Sequence, residues 1–300
     1  MISALIKAAR LRTLPLAIAA IGMGSILAAY FKSHSWMITA LSLSTALLLQ
    51  ILSNFANDYG DFSKGVDESR TDRVMSSGEL NQKQMKWALI VLVVLSLVSG
   101  IILLIVAFQT VNLKTLIYFV VGLISIVAAL YYTMGSNPYG YSGLGDIAVF
   151  IFFGLVSVTG VYYIQNPMID RTFWLSLLPA SSFGLLSAGV LNVNNIRDIE
   201  NDLALGKRTF AGQLGKQRAE FYHLTLIVMA FTGLWIFFYL AIGRIHFSIF
   251  MLFPLYVFHW WIMRLLVGDS KERPKYNRLL KQLVLLNLFL VLVFGIVLLF

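Results

Sequence analysis

"ALSLSTALLLQILSNFANDYGDFSK", residues 40–64, begins as an almost unbroken apolar run and ends in two carboxylates. A bilayer core takes about 20 apolar residues of helix to cross, and the run 37–56 supplies them. Within its last turns Asn54, Asp58 and Asp61 stand at i, i+4 and i+7. On a helix of about 3.6 residues per turn that spacing puts all three on one stripe. The stretch therefore reads as a membrane span whose far end carries a polar, acidic edge.

The rest of the chain repeats the first half of that pattern. Apolar runs of similar length centre on 13–31, 87–108, 113–133, 146–165, 172–193, 221–241, 245–267 and 282–300. With 300 residues, 59% hydrophobic, 12% charged and a mean hydropathy of +0.81, the composition excludes a water-soluble globule. The expected fold is an all-α integral membrane protein, a bundle of nine transmembrane helices forming one domain over 1–300, with a cytoplasm-facing active-site cavity. The first run follows Lys7, Arg10 and Arg12 in the layout of a signal peptide. No cleavage site follows it, and counting it as a span makes the charges consistent. Nine spans place 19 of the 23 Lys and Arg residues on the side of the amino terminus, which the positive-inside rule puts in the cytoplasm. The carboxy terminus then lies on the opposite side of the cell (inner) membrane. The net charge of +9 is explained by membrane flanks and lipid, not by nucleic acid.

The chain has no cysteine, so disulfides, thiolate nucleophiles and Cys-based metal sites are excluded. His34, His223, His246 and His259 lack metal-ligand spacing and read as interfacial or packing residues.

Acids are scarce but clustered: six of 14 lie in 58–79 and three in 198–202. The second group repeats the first, with Asn194, Asp198 and Asp202 at i, i+4 and i+8 after the sixth run. Both stripes end even-numbered spans, so they emerge on one side and can face each other across a cavity mouth. Like charges one turn apart near hydrocarbon are costly without a cation between them. A basic side chain could supply it, but a donor set of carboxylates and amides is what a hard ion such as Mg²⁺ prefers. Two facing sets suggest a two-metal clamp on a diphosphate, with Asp58, Asp61, Asp198 and Asp202 as ligands. Asp67, Glu68, Asp72, Glu79 and Glu200 fit equally well as loop salt bridges to Lys64, Arg70, Arg73, Lys207 and Arg208. Those bases could also hold the remaining diphosphate charge.

With these residues in view, the chain resembles the intramembrane aromatic prenyltransferases of the UbiA superfamily. Its two Asp-rich motifs appear as "NDYGD" (Asn57, Asp58, Asp61) and "DIEND" (Asp198, Asp202). "RTLPLAIA", "NDYGDFSKGVDESRTDR" and "NVNNIRDIENDLALGKRTFAGQLGK" look like the branch that serves menaquinone. The acid after Asp61 is Asp67, six residues on, where many members place it four on. The connection "YYTMGSNPYGYSGLGD", 131–146, lacks the basic residues usual in 4-hydroxybenzoate enzymes and is similar to the menaquinone form, with Asp146 in place of Glu. Read without the family it is a turn-rich loop, in which Asp146 is a helix cap or a substrate contact.

The resemblance implies Mg²⁺-dependent transfer of a polyprenyl group from polyprenyl diphosphate to 1,4-dihydroxy-2-naphthoate, with loss of CO₂. Substrate contacts are then expected from Asn54, Asn57, Arg73, Asn194, Lys207 and Arg208. Arg12 would steer the anionic acceptor or act as a membrane anchor, and Tyr131, Tyr132 and Tyr139 would line the aromatic pocket. Another aromatic acceptor is the nearest alternative. Transport is disfavoured because both stripes lead into charged loops on one side, away from the midplane where transporter sites lie.

Overall fold

A computed structural model describes residues 1–65, 73–243, 249, 251–266 and 273–300. The readings placed on Asp67, Glu68, Arg70, Asp72 and His246 fall outside these residues. Among the described residues every regular element is helical. The helices are α1 (Ile2–Ala9), α2 (Leu14–Tyr30), α3 (Trp36–Ser63), α4 (Gln82–Phe108) and α5 (Leu113–Tyr131). They continue as α6 (Gly145–Gln165), α7 (Arg171–Ala204), α8 (Phe210–Leu214), α9 (Lys216–Ile242), α10 (Phe253–Leu266) and α11 (Arg273–Leu299).

Local chemistry sets several of their limits. Asn81 and Asn112 each close a capping box at the start of α4 and α5, with Gln84 and Thr115. Asp170 caps α7 by accepting from the amides of Thr172 and Phe173, and Gly243 ends α9 in the left-handed conformation. Each device satisfies amides or carbonyls that a helix end leaves without partners.

Eight helices among the described residues are long and apolar enough to cross a membrane, with α1 and α2 together forming the first. The eighth expected run, 245–267, is described as α10, 14 residues long, short of a crossing by itself; residues 244–248 and 250 lie outside the description. The outer faces confirm the solvent. Ile90, Val94 and Val98 of α4 and Ile117 and Ile124 of α5 are each about half exposed. Such stripes belong in hydrocarbon, and the chain is a multi-span membrane protein.

Two buried clusters form the interior. One joins α1, α3, α4 and α5 through residues such as Ala4, Leu52, Met85 and Ile126. The other joins α2, α6, α7, α9, α10 and α11 through Met23, Val158, Phe183, Phe231, Tyr256 and Leu290. In the second, α6 and α7 approach at backbone distance: a Cβ on Gly154 would fall 2.6 Å from the Ala180 carbonyl. Part of α6, Phe150–Thr159, is wound as π-helix, a form associated with functional sites.

Candidate active site

Between the two clusters lies a cavity of about 340 Å³. Its polar end is built from Arg10, Arg12, Asn54, Asn57, Asp61, Arg73, Asn194, Arg197 and Lys207, and its apolar end includes Leu16, Leu49, Ala129, Phe152 and Val156. The two sequence stripes do meet there, at the same end of the bundle.

The stripe of α3 divides its labour. Asp58 is 3% exposed; its Oδ1 accepts from Arg73 Nη1 at 2.6 Å and from Arg10 Nη2. Asp61 Oδ1 accepts from the Tyr141 hydroxyl at 2.6 Å. Asn57 accepts from the Thr133 hydroxyl at 3.3 Å. Asn54 lines the cavity but spends its amide nitrogen elsewhere. It donates to the Ala9 carbonyl at 2.8 Å and to the Thr13 hydroxyl at 3.0 Å, clamping the turn between α1 and α2. That turn holds Arg10 in the left-handed region, φ 48°, which is unfavourable for a residue with a Cβ.

The stripe of α7 is organised by its own neighbour. Arg197 grips Asp198 through Nε at 3.0 Å and through Nη2, and donates to Asn194 Oδ1 at 2.8 Å and Asn277 Oδ1 of α11 at 2.6 Å. Asp202 faces Lys207, whose Nζ lies 3.9 Å from Asp202 Oδ1 and 4.0 Å from Asp61 Oδ1. One ammonium thus stands between carboxylates of both motifs, over the Tyr141 ring at 5.2 Å. Tyr139 donates to the Ala128 carbonyl at 2.8 Å, and burial pushes its phenol up to about 12, so it stays neutral.

Of the residues expected from sequence, Arg12, Asn54, Asn57, Asp61, Arg73, Tyr139, Asn194 and Lys207 line the cavity. Asp58, Asp198 and Asp202 stand behind its wall, held by the cations named above. Two residues are placed otherwise. Arg208 is exposed and takes part through its backbone, donating to the Tyr141 carbonyl at 3.0 Å. Tyr131 is 58% exposed and points away; successive helical residues are about 100° apart, so only one of the pair can face inward, and it is Tyr132. Arg10, Arg197, Tyr141 and Asn277 were not expected in the site. Arg10 and Arg197 read as positive-inside markers, since a basic residue at a span's end looks the same whether it anchors or binds.

The donor set suits a hard divalent ion: carboxylate and amide oxygens, no sulfur. Among the described residues no three acids or histidines are gathered closely enough to hold a metal by themselves. Lys207, between Asp61 and Asp202, marks where positive charge is required.

Comparison with known proteins is consistent with this arrangement. The model of the UbiA prenyltransferase family matches residues 16–286. A Haemophilus influenzae protein named 1,4-dihydroxy-2-naphthoate octaprenyltransferase is 46% identical over 75% of this chain and 73% of its own length. An Escherichia coli protein of the same name is 40% identical over 96% of this chain and 93% of its own. A solved structure of a UbiA homolog from Archaeoglobus fulgidus, bound to DMAPP and Mg²⁺, superposes with a TM-score of 0.57 at 14% identity, covering 96% of this chain and 97% of that one. Sequence likeness of this extent, on a fold shared with solved homologs, makes the chain a member of the UbiA prenyltransferase family.

Proposed function

We propose that this chain transfers a polyprenyl group from polyprenyl diphosphate to 1,4-dihydroxy-2-naphthoate, with loss of CO₂, as one domain over 1–300 in the cell's inner membrane. The relatives named for that acceptor support the substrate pair. The observation that carries the reading is Lys207 held between Asp61 and Asp202 at the mouth of a cavity that is apolar at its other end.

The diphosphate binds at the polar end. Asp61 and Asp202, with Asp58, Asp198, Asn57 and Asn194 beside them, would hold Mg²⁺, and Arg12, Arg73 and Lys207 would take up the remaining charge. Bound there, Mg²⁺ supplies Lewis-acid stabilisation of the leaving diphosphate. Lys207 and Arg73 are placed to stabilise the charge that grows on the leaving oxygen as the allylic C–O bond breaks. Leu16, Leu49, Ala129, Phe152 and Val156 exclude water from the allylic cation, which would otherwise be hydrolysed. The acceptor ring attacks at the carbon bearing its carboxylate, and the chain's tail leaves between helices into lipid. The excess of Lys and Arg at this end supports a cytoplasmic site and a cytoplasmic amino terminus. The run 245–267 makes the ninth crossing, which sends the carboxy terminus to the other side.

The test is prenyl transfer by purified Asp61→Asn and Asp202→Asn, with and without chelator. Each substitution keeps size and removes one charge. Loss of more than about a hundredfold in both is expected; near-normal transfer in either variant, or indifference to chelator, overturns the reading.

A further inference from the structure

Asp146 is a buried carboxylate with no task in the reaction just described. It lies in the first turn of α6, 4% exposed, and the Tyr222 hydroxyl of α9 is the side-chain donor that approaches it. The capping role is not taken: α6 starts without a side-chain cap bond. A carboxylate this deeply buried is costly and calls for a specific cause, such as a place where a proton is received.

Beside it stands Tyr132, on the cavity wall. Two glycines shape its seat. A Cβ on Gly140 would fall 2.5 Å from the Tyr132 carbonyl and 3.0 Å from Cζ of its ring, and one on Gly145 would fall 2.9 Å from its hydroxyl. The Tyr139 ring meets it edge-on at 5.4 Å. The hydroxyl is thereby held against Gly145, the residue that precedes Asp146. The Tyr222 hydroxyl of α9 also faces the carboxylate.

We infer that Tyr132 and Asp146 form a closed proton relay for the aromatic acceptor. The inference rests on the acceptor chemistry proposed above. As the ring carbon bonds to the allylic carbon, the acceptor's O–H bond breaks; its proton passes to the Tyr132 oxygen, and the Tyr132 proton passes to Asp146. The ring oxygen becomes a carbonyl. When the C–CO₂ bond breaks, its electron pair returns to the ring, the oxygen recovers a proton from Tyr132, and Tyr132 recovers one from Asp146. CO₂ departs and no net proton is produced. A prenylation without decarboxylation must export a ring proton to water, whereas this one only lends a proton and takes it back. A dry carboxylate faced by phenol hydroxyls suits the loan. Tyr132 touches the acceptor; Asp146 acts through it.

The experiment uses the full-length purified protein and the variants Tyr132→Phe, Asp146→Asn and both together. Steady-state transfer to 1,4-dihydroxy-2-naphthoate is measured alongside thermal stabilisation by Mg²⁺ with inorganic pyrophosphate. Each single variant is expected to lose tenfold or more in kcat with an unchanged KM for prenyl diphosphate. The double variant should be no slower than the slower single one, and stabilisation by pyrophosphate should match the unaltered protein in all three. A normal kcat in Tyr132→Phe, multiplicative losses in the double variant, or lost stabilisation by pyrophosphate overturns the relay. If the unaltered protein is stabilised by pyrophosphate yet transfers nothing to the naphthoate, the acceptor reading fails and the relay with it.

Discussion

The side-chain amide of Asn54 donates to the main-chain carbonyl of Ala9 across 2.8 Å. An acid-motif residue is thus used to hold backbone, and the backbone it holds carries Arg10 and Arg12 into the cavity. Asn54→Ala removes the donor from a site 4% exposed and leaves the Ala9 carbonyl without it. The expected cost is about 1–3 kcal/mol, together with a raised KM for prenyl diphosphate. Asn54→Asp should be at least as damaging, because a carboxylate cannot donate. Thermal unfolding in detergent and a KM-against-kcat comparison check both; a raised KM with unchanged stability would remove the clamp from the account.

Lys207 lends its charge to Asp61 and Asp202 together. Lys207→Met should therefore destabilise the metal-free protein, since removing a cation from a largely buried cluster weakens the compensation of both carboxylates. Divalent ions should restore part of that loss, so the rise in melting temperature on adding Mg²⁺ should be larger in the variant than in the unaltered protein. Equal rises in the two would show that the ammonium and the metal do not share a place. Prenyl transfer should fall at least tenfold even at saturating Mg²⁺.

At the opposite end of α7, Asp170 provides a dependence on pH. The Thr172 hydroxyl, and after it the Phe173 amide, hold its carboxyl below the ordinary carboxylate range. A depressed folded-state value means that the cap's contribution is complete above the unfolded value of about 4 and fades as pH falls through the lower folded one. Asp170→Ala should cost about 1 kcal/mol at pH 7. The gap between variant and unaltered protein should narrow below about pH 4, where both lack the charge. Melting curves at pH 7 and in the acid range decide this; a gap that widens in acid would contradict it.

The spans and the acid stripes could be read from the sequence because they depend on local periodicity. Residues Asn54, Asp58 and Asp61 share a face by helical register, and the structure keeps all three buried on α3. Register says which residues share a face, but not what each one touches. Asn54 and Asn57 have the same amide, lie three residues apart and both line the cavity, yet only Asn54 clamps a distant turn. The Arg10 contact with Asp58 joins residues 48 apart, and the Arg197 contact with Asn277 joins residues 80 apart, so no local pattern could announce either. Tyr131 and Tyr132 were separated by the exit angle of α5, which the sequence of a turn-rich loop does not fix. Gly140 and Gly145 looked like turn formers and are also the seat of Tyr132.

The Arg197 network gives a graded test of how α11 serves the site. Arg197 binds Asp198 through two nitrogens and spends a third on Asn277, with its side chain only 3% exposed. The planar fork is what allows one cation to grip a carboxylate while reaching two amides. Asn277→Ala removes the tie to α11 and leaves the fork on Asp198, so a loss of about 0.5–1.5 kcal/mol and a few-fold rise in KM for prenyl diphosphate are expected. Arg197→Lys keeps the charge but gives up the fork, leaving Asp198 and Asn194 with too few donors. It should lower both stability and kcat/KM well beyond Asn277→Ala. If the two variants behave alike, α11 rather than Asp198 is the partner that matters to Arg197, and Asp198 reaches its working position without help from its neighbour.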